Sequence, residues 1–180
     1  MPRLEHSFWL LPSEPLATRL RGLIAELAAA HDAVAFEPHV TLYCGASDDA
    51  TTRAALDRIS AQFGPAQLVF ARLEASEEYA KTLFVRFEES AAARDMSETA
   101  RRLCANASDY VLNPHLSLIY KRMPEARKRQ IMASLELPRG GYVFDRLRAI
   151  ETEVPLAERD QIRRWRVVGE CSLAFNGTIQ

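Results

Sequence analysis

Cysteine is scarce in this sequence, and its three residues follow no disulfide or metal-binding pattern. Cys44, Cys104 and Cys171 are widely spaced and include no Cys-x-x-Cys pair. An odd, scattered set of thiols is typical of proteins from reducing compartments. The first six residues contain no apolar signal core, and no segment approaches the roughly 20 apolar residues that cross a bilayer. We therefore expect a cytoplasmic protein without a membrane partner.

An excess of charge of either sign is also absent. The sequence has 23 Lys and Arg against 24 Asp and Glu, which gives a net charge of −1. A near-neutral protein has no global attraction for nucleic acid, so a nucleotide or RNA end must be recognised locally in a cleft. This favours a small ligand over a long polymer. The 180 residues, 48% of them hydrophobic, suit one domain or two tightly joined lobes.

Histidine is scarce too, yet two of the four histidines lie in tracts of the same design. Residues 37–42 read Glu-Pro-His-Val-Thr-Leu, and residues 113–118 read Asn-Pro-His-Leu-Ser-Leu. One accidental His-x-Ser/Thr is common, but two copies with matching prolines have a chance probability on the order of one in several thousand. The duplication therefore indicates a shared role. His6 and His31 lack the pattern, and we expect structural or surface roles for them.

The histidine and the hydroxyl residue of each tract project the same way if the tract is a strand. Strand alternation places His39 and Thr41 on one face, and His115 and Ser117 repeat that arrangement. Two such pairs facing one cleft would supply two proton-transfer groups and two hydroxyl donors, which suits hydrolysis of a phosphodiester without a metal. Zinc binding is the rival interpretation, but a third ligand at recognisable spacing is missing. We predict no metal and no cofactor.

The predicted elements repeat around these tracts. A helix, a histidine strand, a second helix and paired strands occur twice, with the motifs 76 positions apart. This predicts an α+β fold with two pseudo-symmetric lobes of antiparallel sheet, flanking helices and a central cleft. Because no flexible linker separates the halves, residues 1–180 are expected to form a single domain. Predicted strands lie at 6–11, 38–44, 67–74, 81–87, 114–120, 142–153 and 165–175, with helices around Leu20, Leu56, Met96 and Ile131.

The motifs and their surroundings resemble the 2H phosphoesterase superfamily, which is named for two His-x-Thr/Ser motifs. Further segments are similar to its cyclic phosphodiesterase branch, typified by plant enzymes that act on ADP-ribose 1″,2″-cyclic phosphate and on nucleoside 2′,3′-cyclic phosphates. These segments are Ser7–Pro12, Phe36–Pro38, Tyr120 and Trp165–Leu173. The resemblance covers nearly the whole chain and implies a bilobal antiparallel fold with the site in the central groove.

The resemblance also implies a reaction, the metal-independent opening of a cyclic phosphate to a phosphomonoester. His39 and His115 would be the general acid and base, although the sequence does not indicate which is which. Thr41 and Ser117 would donate hydrogen bonds to the non-bridging phosphate oxygens. Tyr120 would contact the phosphate as well. Since it lies five positions after His115, a bend or bulge must re-aim it toward the same face.

Three more aromatic residues are candidate substrate contacts. Trp9 and Tyr79 would stack on a base or ribose at the rim of the cleft, and Tyr43 shares a predicted strand face with the first motif. Packing in the core is the alternative interpretation for all three.

The expected partner is a small cyclic nucleotide or ADP-ribose cyclic phosphate, and a monomer is favoured. One alternative is a 2′-5′ RNA ligase-like or RNA-end-processing 2H enzyme, which the near-neutral charge disfavours because long RNA favours a basic groove. Another alternative is a catalytically silent nucleotide-binding module. The intact histidines and hydroxyl residues of both motifs speak against it.

Overall fold

The computed structural model describes residues 3–104 and 108–174, in which strands and helices alternate along most of the chain. The strands are Arg3–Pro12 (β1), Val40–Gly45 (β2), Ala66–Ala75 (β3), Leu83–Phe87 (β4), His115–Ile119 (β5), Gly141–Val154 (β6) and Arg166–Ser172 (β7). The helices are Leu16–Ala30 (α1), Asp49–Gln62 (α2), Ala91–Leu103 (α3), Glu125–Ser134 (α4) and Arg159–Arg163 (α5). None of these helices is long and apolar enough to cross a membrane.

The seven predicted strands are all present, with shifted ends. The fourth begins at Leu83 because Tyr79–Lys81 forms a short 3-10 turn instead. The sequence analysis missed this turn and α5, since neither is long enough to show a helical period. Phe175, at the end of the last predicted strand, lies outside the described residues.

The strands form one antiparallel sheet in the order β1-β2-β5-β4-β3-β6-β7, and β1 also pairs with β6. The ladder from β1 to β6 therefore closes on itself. The shortest strand pairing is between the two histidine strands, where β2 and β5 share one residue pair, Val40 with Leu116. The predicted α+β class with an antiparallel sheet is confirmed, and the histidine strands are direct neighbours.

Strands that follow one histidine strand in the sequence pair on the side of the sheet that holds the other. β4 comes after the first motif but pairs with β5, while β6 comes after the second motif and pairs with β1, the neighbour of β2. The two halves of the sequence are thus interlocked through the sheet. Their equivalence as two lobes stays a prediction.

Both histidine strands contain a β-bulge directly after the hydroxyl residue of the motif. The pairing register shows one extra residue in each strand, Leu42 in β2 and Leu118 in β5. Both leucines have no exposed surface and belong to the main hydrophobic core. A bulge reverses the alternation of side chains beyond it. The core thereby decides which later residues of β2 and β5 can face the cleft.

We predict that shortening the bulge leucine of β2 strongly destabilises the protein. Leu42→Ala should lower the free energy of unfolding by roughly 2 to 5 kcal/mol, since it removes buried atoms and leaves a cavity. The same change at Leu4, which is 62% exposed on β1, should stay within about 0.5 kcal/mol of wild type. Urea titration measures both, and equal effects would contradict the packing described for β2.

Candidate active site

A cavity of about 400 Å³ lies where the two histidine strands meet. His39 and Thr41 from β2 and its lead-in line it, together with His115 and Ser117 from β5. Each motif contributes both of its polar side chains to one space, as strand alternation predicts. The four residues on which the sequence analysis centred are therefore brought together.

The two imidazole rings are held by the same backbone contact. Nδ1 of His39 lies 2.7 Å from the carbonyl oxygen of Glu37, and Nδ1 of His115 lies 2.6 Å from that of Asn113. A carbonyl can only accept, so Nδ1 carries the proton and donates in both rings. In the neutral ring this leaves the lone pair on Nε2. The proline between each histidine and its acceptor keeps the preceding residue extended.

His39 is packed among aromatic rings. Its imidazole stacks on the indole of Trp9, with ring centroids 3.7 Å apart and an angle of 12° between the planes. The edge of Trp165 closes another side at 6.1 Å. Burial is the main reason that the pKa of His39 falls to about 3, and the nearby His115 and Arg148 lower it further. The ring is therefore neutral at physiological pH.

His115 lies in a more polar environment. Burial again lowers its pKa, and the positive charges of Lys81 and Arg86 add to that effect. Two contacts raise the pKa of His115, the hydrogen bond to the carbonyl of Asn113 and the negative charge of Glu78. Identical motifs thus hold two imidazoles in different electrostatic surroundings.

The two hydroxyl residues differ in their hydrogen bonds. The Ser117 hydroxyl donates to the carbonyl oxygen of Ala80 at 2.7 Å. Thr41 makes no side-chain hydrogen bond to any described residue. A ligand oxygen in the cavity would find the Thr41 hydroxyl free to donate, whereas Ser117 must first rotate its proton away from Ala80.

Tyr120 faces the cavity because the bulge at Leu118 reverses the strand alternation. This is the re-aiming that its odd separation from the motif histidine requires. Its ring stacks on Phe36 with centroids 3.9 Å apart and is 4% exposed. Burial raises the pKa of Tyr120, which a hydrogen bond with the Ser117 side chain opposes. The phenol therefore keeps its proton near neutral pH.

The prediction that Tyr43 shares the cleft face is wrong. The bulge at Leu42 turns Tyr43 into the core, where it has no exposed surface and packs near Phe8 and Tyr110. Cys44 lines the cavity in its place. Alternation alone could not show this, because the extra residue lies between the motif and the tyrosine.

The other two aromatic candidates line different cavities, and their contact with a substrate stays a prediction. Trp9 lines the cavity, but it is 3% exposed and His39 covers one face of its indole. Its Nε1 donates to the Ser7 hydroxyl at 2.8 Å, which fixes the ring. Tyr79 lines a neighbouring cavity on the far side of Tyr120 and is absent from the first.

The sequence analysis missed further residues of the cavity wall. Glu78 and Lys81, which form an ion pair at 2.9 Å, are its charged lining residues. Trp165 was noted only as part of the closing segment of the resemblance, yet it contacts both Trp9 and Tyr120 edge-on. The pairing of distant strands brings these residues together, and no local pattern signals it.

One group of described residues has the geometry of a metal site, and it lies outside the cavity lining. It consists of His6, Asp49 and Glu151. Arg166 bridges the two carboxylates at 2.9 and 3.0 Å, and Arg53 also pairs with Asp49 at 3.2 Å, so two cations already balance the two negative charges. His6 itself is buried and bonds to Asp49 at 3.1 Å, consistent with the structural role expected for it.

Comparison with known proteins agrees with this geometry. The model of a family described as cyclic phosphodiesterase-like protein matches residues 4–137. The chain belongs to this family. The predicted membership of the 2H phosphoesterase superfamily is thereby confirmed, and the plant-type branch stays a prediction. None of the curated proteins matches the sequence significantly.

Solved structures share the fold at low sequence identity. TT0787 of Thermus thermophilus is 12% identical with a TM-score of 0.62, covering 94% of this chain and 97% of its own. E. coli LigT in complex with 3′-AMP is 14% identical with a TM-score of 0.56, covering 96% and 99%. A third structure, of a phosphoesterase, is 13% identical with a TM-score of 0.58 and the same coverage.

We predict that His39 makes the protein less stable in acid. Its pKa is about 3 in the folded state and near 6.5 in an unfolded chain, so the unfolded state binds more protons between these values. Stability is then complete above pH 6.5 and falls as the pH drops, by at most about 1.4 kcal/mol per pH unit.

His39→Asn should remove this loss, because the amide can still donate to the carbonyl of Glu37 but does not titrate. Urea unfolding at a series of pH values should show wild type losing stability relative to the variant below about pH 6.5. Parallel pH dependences for the two proteins would contradict a neutral, buried His39.

Proposed function

We propose that this protein hydrolyses cyclic phosphodiesters, such as nucleoside 2′,3′-cyclic phosphates, to phosphomonoesters by paired-histidine acid–base catalysis. The observation that carries the proposal is the convergence of both motifs on one cavity, with each histidine anchored through Nδ1. Membership of a phosphoesterase family supports the general reaction class. The anchoring leaves Nε2 of both rings for proton transfer. Acid–base hydrolysis needs two such groups at one substrate, one to take a proton and one to give a proton.

In this mechanism His39 is the general base. Its Nε2 lone pair takes a proton from water while the water oxygen forms a bond to phosphorus. A histidine with a pKa of about 3 suits this role because its ring is already neutral. It would fail as the acid, since only about one molecule in 10⁴ carries the proton at pH 7.

His115 is then the general acid. Protonated on both nitrogens, it keeps its Nδ1–H on the carbonyl of Asn113 and gives the Nε2 proton to the ribose oxygen as the P–O bond breaks. Glu78 favours this protonated state, because its negative charge raises the pKa of His115. The proton that His39 takes from water balances the proton that His115 gives to the ribose oxygen. Proton exchange with solvent then returns both rings to their starting protonation states.

The negative charge of the transition state is stabilised by donors around the two rings. Thr41 and Ser117 donate to the non-bridging oxygens, and the protonated phenol of Tyr120 lies on the same side as Ser117. Lys81 adds a positive charge at the cavity wall. Fixed donors of this type are worth roughly 2 to 4 kcal/mol each.

A small nucleotide is the proposed substrate class. A cavity of about 400 Å³ is within the range that holds small ligands, and its lining contains one acidic and one basic residue in place of a basic groove. Structures of E. coli LigT contain 3′-AMP, ATP and NADP+. At this low identity LigT supports the fold, so the proposed substrate rests on the cavity of this chain.

We predict that either motif histidine is essential for turnover. Adenosine 2′,3′-cyclic phosphate incubated with the protein in chelator should yield a phosphomonoester, and His39→Ala or His115→Ala should lower kcat by about 10² to 10⁴-fold. His31→Ala is the matched control, because His31 lies at the end of α1 outside the cavity lining.

Three outcomes would contradict this mechanism. Turnover that survives the loss of either motif histidine would rule out paired acid–base catalysis. Activity that disappears in chelator would point to a metal. Binding of the cyclic nucleotide by wild type without any turnover would favour a silent binding module.

We predict an acid-shifted pH profile for kcat/KM. The acid, His115, must be protonated, and its pKa in the free protein lies below the usual 6.5. The value of kcat/KM should therefore fall as the pH rises through this lowered pKa of His115. Bound phosphate is anionic and raises the pKa of the imidazole, so the decline of kcat should come at higher pH. Steady-state kinetics between about pH 4 and pH 9 test whether kcat declines at a higher pH than kcat/KM. Coincident pH profiles for the two quantities would contradict the prediction.

A further inference from the structure

A lysine is buried outside the candidate active site. Lys128 lies on α4 and is 1% exposed, whereas its neighbours Arg127 and Arg129 are exposed. Lysine is almost never fully buried unless it is paired, because burial takes its charge out of water. Lys128 lies outside the lining of the active-site cavity and has no part in the acid–base steps. Its burial therefore requires another explanation.

Three oxygen atoms pair with the Lys128 ammonium. Its Nζ donates to the carbonyl oxygen of Ser76 at 3.1 Å, to Oε1 of Glu77 at 2.5 Å and to Oε2 of Glu125 at 2.9 Å. An ammonium has three N–H donors, so all of them are used. These pairs, led by the hydrogen bond to Glu77, raise the pKa of Lys128 and keep it charged. Since Glu125 belongs to α4 itself, the other two acceptors tie a distant segment to this helix.

That segment is the loop of residues 76–82, which joins β3 to β4 and includes the 3-10 turn. Ser76, whose carbonyl Lys128 holds, also links the loop internally. Its hydroxyl donates to the carbonyl oxygen of Lys81 at 2.7 Å and accepts from the N–H of Glu78 at 3.1 Å. The 76–82 loop is therefore a compact unit, and the buried ammonium holds it at its first residue.

The 76–82 loop forms part of the wall of the candidate active site. Glu78, Ala80 and Lys81 line the cavity, and the carbonyl oxygen of Ala80 accepts from the Ser117 hydroxyl at 2.7 Å. The loop thus brings an anion, a cation and a hydrogen-bond acceptor to the side of the cavity that the second motif lines. A displacement of the loop would move all three groups together.

His115 responds to this loop through charge and burial. Burial lowers the pKa of His115 most, and Lys81 lowers it by more than Glu78 raises it. The other charged or titratable neighbours are Arg86 on β4, which also lowers this pKa, and the neutral His39. A loop that moved away would remove net positive charge and admit water. The pKa of His115 would then rise toward its usual 6.5.

We propose that Lys128 is a positioning residue of this site, which ties the 76–82 loop to α4 so that Lys81 and Glu78 keep their places beside His115 and the bound phosphate. The proposal rests on the proposed function and adds to it a residue that lies outside the cavity. The buried ammonium suits this role because three acceptors fix it in one place. Its hydrogen bonds are shielded from water, unlike those of a surface lysine.

The test removes the ammonium and keeps the buried stem. Lys128→Met retains most of the apolar chain but cannot donate to Ser76 or Glu77. We expect kcat for adenosine 2′,3′-cyclic phosphate to fall about tenfold, because the groups on the loop lose their fixed positions. The decline of kcat/KM with rising pH should move to higher pH, because the pKa of His115 rises.

Arg129→Met is the matched control, because it removes one positive charge from an exposed position of the same helix. It should leave both kcat and the pH profile unchanged. If Lys128 only stabilised the fold, Lys128→Met would reduce the amount of folded protein and leave the pH profile of the remainder in place. A lower kcat with an unshifted profile in Lys128→Met, or an equal fall in Arg129→Met, would overturn the proposal.

NMR titration of the His115 imidazole tests the positioning without turnover. The pKa of His115 should rise toward 6.5 in Lys128→Met and hold in Arg129→Met. Ser76→Ala serves as a second variant if Lys128→Met fails to fold. It keeps the carbonyl that Lys128 binds and removes only the hydroxyl that links the loop internally, so it should raise the pKa of His115 as well.

The two experiments separate this proposal from the proposed function. An unchanged pKa of His115 in folded Lys128→Met or Ser76→Ala would overturn the positioning role. Wild type that turns over no cyclic phosphate would overturn the proposed function instead. The NMR titration would still decide whether Lys128 holds the loop beside His115.

Discussion

The hydrogen bond from a histidine Nδ1 to the carbonyl two residues before it is made twice, and the chemistry of the cavity depends on it. It fixes the orientation of His39 and His115 and puts the proton of each neutral ring on the nitrogen that faces the backbone. Without this contact an imidazole can rotate and exchange tautomers, so the lone pair would not be held on Nε2. The sequence encodes the contact locally, as a proline between donor and acceptor that holds the acceptor residue extended.

Equal anchoring does not make the two rings equal, because their neighbours come from different parts of the chain. His39 stacks on Trp9 from β1, and this burial lowers its pKa to about 3. The pKa of His115 is also lowered, but Glu78 beside the 3-10 turn raises it in part. An acid and a base near neutral pH require such a difference. The closed strand ladder supplies it by bringing separate elements to each motif.

Local patterns predicted the strands, most of the helices and the four motif side chains, because period and alternation are local properties. The odd separation between His115 and Tyr120 also indicated a bend or bulge before Tyr120, and the structure contains a bulge there. The matching bulge in β2 gave no such signal, so Tyr43 was placed on the wrong face. Lys81 and Trp165 could not be assigned to the cavity, since their positions depend on which distant strands pair. Hydrophobic periodicity does not encode that choice.

The two bulges place Cys44 and Tyr120 at equivalent positions, each three residues after its hydroxyl residue and 76 positions apart. At Cys44 burial and the adjacent Glu5 raise the pKa of the thiol, so this side of the cavity carries no charge from the cysteine. At Tyr120 the strand continues into Lys121, which lines the neighbouring cavity. Matching strands thus end in different side chains, an uncharged thiol after Thr41 and a phenol followed by a lysine after Ser117. Repeated motifs therefore border one cavity with chemically different sides.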